Sequence, residues 1–159
     1  MTDRKLLKLL WSVGLFLAPT LFMRPTKDRW IVFLFNAFLN TYIDNYLVAS
    51  KRLKYPNRLK SVKKLSNGSV LYDSLLCPLM TTWYYIATRH VKKISKFLFI
   101  TFLFVLPQLI FELLLEKYTE IIKYKKGWKW YHSFFTISFI KIFVRGFIQM
   151  INKASQINS

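Results

Sequence analysis

The sequence predicts an all-α fold: one domain over residues 1–159, built as an integral membrane bundle of four to five transmembrane helices. Three observations predict it. Hydrophobic residues make up 53% of the chain and mean hydropathy is positive, more apolar surface than one soluble core of this length can hide. The net charge is +18, from 25 Lys and Arg against 7 Asp and Glu, which combined with high hydrophobicity excludes an intrinsically disordered chain. The apolar residues fall in five stretches separated by basic loops, each close to the roughly 20 residues needed to cross about 30 Å of hydrocarbon.

The first predicted span, 6–23, follows a basic start and is interrupted only by Lys8. It also has the outline of a secretory signal, but Ala18-Pro19-Thr20 and the apolar residues after it offer no Ala-x-Ala site, so a retained span is expected. The second, 30–50, opens at Trp30 and carries Asn36, Asn40 and Asp44. The third, 69–88, holds Asp73, Cys77 and Pro78 and closes on Trp83, Tyr84 and Tyr85. The fourth, 97–115, contains Pro107, Gln108 and Glu112. The fifth, 133–151, contains Lys141 and Arg145, and reads either as a span or as an amphipathic helix lying flat with both cations in water.

Between spans two and three, Leu59, Val62 and Leu65 recur every third residue among basic neighbours. That spacing suits either a short helix on the inner leaflet, drawn to anionic lipid, or a solvated basic loop. With the N-terminus inside, the cytoplasmic segments hold 15 Lys and Arg and the opposite side 8, so the positive-inside rule predicts a cytoplasmic N-terminus. Trp30, Trp83, Trp128, Trp130 and His132 lie where span ends meet basic loops and are read as interface anchors. The segment from Lys125 to His132 interleaves basic and stacking residues as nucleic-acid binders do, but its place between two apolar stretches favours a membrane anchor and no nucleic-acid partner.

Chemistry-bearing motifs are few. Cys77 is the single cysteine, so no internal disulfide can form, and no cysteine and histidine spacing suits zinc. Four glycines, none clustered, exclude a phosphate loop and a dinucleotide fingerprint, and no cofactor is expected. The polar residues inside the spans are informative because charge in a bilayer is costly and faces a partner or water. Asn36, Asn40 and Asp44 are each four apart on one helical face, as are Gln108, Glu112, Glu116 and Glu120, while Ser138, Lys141, Arg145, Gln149 and Asn152 alternate three and four apart.

At 1.5 Å per residue, Asp44 lies about 6 Å and Asp73 and Glu112 roughly 8–9 Å toward the inner side of their spans, in one layer. Lys141 leans toward that layer from the fifth span, since helical side chains tilt toward their N-terminus. The candidate intramembrane polar network is therefore Asn36, Asn40, Asp44, Asp73, Gln108, Glu112, Lys141 and Arg145, with the two cations compensating the carboxylates. Alternatively the seams serve only as interhelical glue.

Three function classes remain. A non-enzymatic accessory or interaction component would pack against itself or another membrane protein through the polar seams and aromatic surfaces. A small proton- or cation-coupled transporter or pore would use Glu112 beside Pro107, with Asp44 and Asp73 behind it. A membrane enzyme would use His132 as acid or base on a lipid headgroup, but no second residue with a role accompanies it. The first reading, not an enzyme, is the one expected.

The ordered motifs Arg24-Pro25-Thr26-Lys27-Asp28, Leu53-Lys54-Tyr55-Pro56, Leu71-Tyr72-Asp73 with Pro78, Leu115-Glu116-Lys117-Tyr118-Thr119 and Lys126-Gly127-Trp128-Lys129-Trp130-Tyr131-His132 resemble a family of small integral membrane proteins of spore-forming Bacillus-type bacteria. The resemblance runs from about Lys5 to Ile151, with Arg29 as a departure. It implies a bacterial, multi-pass plasma-membrane protein and no activity, substrate or catalytic residue.

Overall fold

The computed structural model describes residues 12–21, 26–55 and 75–157, and it is mostly helical. Residues 12–17 form α1, which tightens into a 3-10 turn at Ala18–Leu21 beside Pro19. Then come α2 (Lys27–Ala49), α3 (Cys77–Thr88), α4 (Ile94–Tyr118) and α5 (Trp130–Ile157), with two short strands, β1 (Leu53–Lys54) and β2 (Lys123–Tyr124).

Local chemistry sets the helix ends. Thr26 enters α2 in an extended conformation, and Asp28 places a carboxylate in its positive first turn. Pro78 sits in the first turn of α3, where its missing N–H costs nothing. Lys93 and Thr119, both extended, bound α4. That helix runs unbroken through Pro107, whose ring removes one internal hydrogen bond on an exposed face.

Four helices close into an antiparallel ring. α2 packs on α3 and α5, α4 packs on the same two, and α3 also touches α5 across the middle. Val32, Tyr85, Ile140, Val144 and Ile148 fill the centre of one half, and Val105, Leu109 and Ile137 the seam between α4 and α5. At one end β1 and β2 pair antiparallel, Leu53 opposite Tyr124 and Lys54 opposite Lys123, over a cluster of Leu47, Tyr55, Leu115, Ile121 and Ile122. This clasp ties the segment after α2 to the connection between α4 and α5, and we call it the hairpin end.

Lengths separate the predicted spans. Among the described residues, α2, α4 and α5 are long and apolar enough to cross a membrane. α3 has 12 residues, about 18 Å at the helical rise, and residues 69–74 of the predicted third span lie outside the described residues. Residues 6–11 and 22–23 of the first predicted span and the basic segment with Leu59, Val62 and Leu65 lie outside them too. Three of the four to five predicted spans are therefore long and apolar enough among the described residues, and the first and third are described only in part. The fifth predicted stretch is a bundle helix: α5 packs against α2, α3 and α4 and buries Ile140, Lys141, Val144 and Ile148.

Candidate functional site

The bundle shows large apolar side chains on its surface and encloses several polar ones among its apolar core. Leu34, Phe38, Phe99, Leu103, Phe135 and Phe139 point outward and are mostly exposed. Asn36 at 0%, Lys141 at 1% and Glu112 at 9% exposure lie inside. Each is on the face that its helical spacing marks as polar, because residues four apart share a helix face.

Glu112, near the end of α4, anchors the best-satisfied cluster. Its Oε1 accepts hydrogen bonds from Tyr124 Oη and Ser133 Oγ, each at 2.8 Å. Tyr124 and Ser133 oxygens are 3.0 Å apart, and the Trp128 indole N–H donates to Ser133 Oγ at 3.0 Å. Three segments converge here: α4 supplies the carboxyl group, the hairpin end the phenol and indole, and the first turn of α5 the hydroxyl. Burial, and then the neighbouring Glu112 carboxyl group, push the Tyr124 phenol well above its ordinary range, so it stays a hydrogen-bond donor.

Asp44, half-buried on α2, is held by the Tyr55 hydroxyl. Asp44 and Glu112 line one cavity of about 50 Å³, together with Asn40, Gln108, Ser133 and Thr136. The layer read from the sequence thus brings these two carboxyl groups to a common space. Asp73, its third member, lies outside the described residues.

Midway along the bundle the arrangement differs. Lys141 Nζ donates to Thr81 Oγ1 at 3.2 Å. Gln108 Nε2 reaches Cys77 Sγ at 3.1 Å, while Gln108 Oε1, Asn40 Nδ2 and both amide atoms of Asn36 are buried without a hydrogen-bond partner among the described residues. A smaller cavity of about 20 Å³ touches Asn40, Thr81, Gln108 and Lys141 and shares Asn40 and Gln108 with the larger one.

Arg145 lies a turn farther along α5. Its Nη2 donates to the carbonyls of Thr88 and Val91, each at 3.2 Å, and its guanidinium stacks 4.4 Å from the Phe97 ring centre. A cation on the last carbonyls of α3 is favoured by the helix dipole. At the same end, Asp28 Oδ2 accepts from Tyr85 Oη at 2.7 Å and from Asn152 Nδ2 at 2.9 Å.

The expected compensation of Asp44 and Glu112 by Lys141 and Arg145 is therefore replaced by other partners. The reason is axial distance. Glu112 meets α5 at Ser133, and Lys141 starts about 12 Å farther along the same helix, beyond the reach of a lysine leaning back. Sequence reasoning missed Tyr55, Tyr124 and Ser133 as the carboxyl partners. The available signal was phenols and a hydroxyl flanking the spans that carry Asp44 and Glu112.

The predicted anchors divide. Trp130 is exposed, while Trp30, Trp83, Trp128 and His132 are partly buried. Trp83 Nε1 donates to Thr20 Oγ1 at 3.3 Å, and Trp128 joins the Glu112 cluster. His132 stacks on Trp128 with ring centres 5.1 Å apart and accepts from Lys129 N–H through Nδ1 at 3.2 Å. It faces its local turn, and among the described residues no carboxylate pairs with it. Among the described residues no group of three metal-ligating side chains forms. The chain matches no family model, no curated protein and no solved structure.

Proposed function

We propose that this chain is a multi-pass membrane protein of the bacterial plasma membrane, with a cytoplasmic N-terminus, acting as a non-enzymatic accessory or interaction component. The observation that carries this reading is an apolar outer surface on α2, α4 and α5 with Asn36, Glu112 and Lys141 buried inside. An apolar exterior suits lipid, and polar side chains turned inward suit hydrogen bonds between helices.

The hairpin end supports the orientation. Lys51, Arg52 and Lys54 come together there with Lys123, Lys125 and Lys126, beside Trp128 and Trp130, a composition that suits the anionic inner leaflet. The resemblance to small membrane proteins of spore-forming bacteria belongs to this proposal. The partner would be a second copy of this chain or a larger membrane assembly.

Crosslinking in native membranes, followed by mild-detergent pull-down and mass spectrometry, tests it. An oligomer or a reproducible membrane partner is expected; a lone monomer counts against it. Single cysteines introduced at each terminus, in a Cys77→Ser background, are expected to label from opposite sides if five spans are present, and from one side if there are four.

A second reading, a proton- or cation-coupled transporter or pore, is favoured by one observation: Asp44 and Glu112 face the same internal cavity. In proteoliposomes it requires pH-dependent flux that Glu112→Gln reduces. Flux that is absent, or unchanged in the variant, removes this reading.

A further inference from the structure

Lys141 is the buried charge that the Glu112 cluster does not use. Its side chain is 1% exposed, and Thr81 Oγ1 is its hydrogen-bond partner. Among the described residues no carboxylate forms an ion pair with it. An ammonium group inside an apolar bundle is strongly unfavourable without a counter-charge, so such a lysine marks a site.

The space beside it has the size and chemistry for one small ion. The cavity of about 20 Å³ is walled by Ile137 and Ile140 and edged by Lys141, Thr81, Asn40 and Gln108. A space of that size suits one guest of about water to monatomic-ion size better than a bulkier oxyanion such as sulfate or phosphate. Three of the residues that line it have donors to spare. Lys141 has N–H groups beyond the one given to Thr81, Thr81 accepts that bond and keeps its own proton to donate, and Asn40 Nδ2 is buried without a partner.

Gln108 adds a fourth donor by a half-turn of its amide, which exchanges its unpartnered Oε1 for Nε2 without changing shape. We propose that this cavity is a binding site for one halide-sized anion, chloride being the physiological one, held by the Lys141 ammonium and the Thr81 and Asn40 donors. The low dielectric leaves the attraction between ammonium and anion largely unscreened, which in water it would not be. The assignment stands for an accessory protein and a transporter alike.

Thermal unfolding of the purified full chain in detergent, in sodium chloride, bromide, sulfate or gluconate at matched low ionic strength, tests it. The midpoint is expected to rise with chloride and bromide and saturate, and to stay level with sulfate and gluconate, because only a ligand bound to the folded state stabilises it. Lys141→Met is expected to abolish the halide response, and Lys92→Met, at an exposed position, to retain it. Equal midpoints in halide and gluconate, as for a cavity holding water alone, would overturn the proposal, as would a halide response preserved in Lys141→Met. Should that variant fail to fold, chloride NMR line broadening by the wild-type chain decides: excess bromide is expected to reverse it and sulfate is not. Absence of broadening sinks the site.

Discussion

Glu112 and Lys141 sit in the same bundle, both nearly inaccessible, and their surroundings are opposite in kind. Around Glu112, Tyr124, Ser133 and Trp128 form a connected set of hydrogen bonds that joins α4, the hairpin end and α5. Beside Lys141, Asn40 and Gln108 each keep a buried atom without a hydrogen-bond partner among the described residues, and one threonine hydroxyl receives the ammonium. A fully satisfied buried network fixes geometry, whereas a buried charge with spare donors stores unfavourable energy that a ligand can release. The first region therefore reads as a latch and the second as a receptor.

Stability measurements by reversible unfolding in mixed detergent micelles can break this contrast. The largest effect is expected from Glu112→Ala, which strips the acceptor from Tyr124 and Ser133 and should cost about 3 kcal/mol. A change below about 0.5 kcal/mol would mean that the latch is not one. Lys141→Met in halide-free buffer is expected to move the opposite way, a gain of about 1–3 kcal/mol, since a well-packed apolar side chain replaces a buried charge with no carboxylate beside it among the described residues. A loss there would place a strong protein partner on Lys141 and erase the difference between the two regions.

Asn36→Leu sharpens the comparison within the mid-bundle region. Asn36 is 0% exposed with neither amide atom partnered among the described residues, so an apolar side chain of the same branched shape should add about 1 kcal/mol. The smallest effect is expected at the hairpin end from Gly127→Ala. Gly127 has φ +75 and an added Cβ would meet nothing within 4 Å, so the cost, about 0.5–1 kcal/mol, comes from backbone conformation alone. A larger loss would show that the β1 and β2 clasp depends on this turn more than its contacts imply.

Much of the architecture was legible residue by residue. The apolar runs behind α2, α4 and α5, and the four-residue spacing of Asn36, Asn40 and Asp44 and of Gln108 and Glu112, are local properties. A helix with that spacing must present one polar face wherever it packs. The shared layer of Asp44 and Glu112 followed from counting rise per residue along alternating helices, and both now line one cavity.

Partner choice was not legible. Whether Lys141 meets Glu112 or Thr81 depends on how far α5 is shifted along α3 and α4 and how it is rotated about its axis, and nothing in the local sequence of α5 encodes that offset. The same holds for Arg145, which the chain order would pair with a carboxylate and which the packing sets on the carbonyls of Thr88, the last residue of α3, and of Val91 just beyond it. By itself, then, the sequence determined which stretches are helical and which face of each is polar, because hydropathy and the 3.6-residue period act within one segment. Only the tertiary structure decided that Glu112 is satisfied and that Lys141 is left with unfilled donors, because hydrogen bonds across helices are set by axial offset and rotation between segments far apart in the chain.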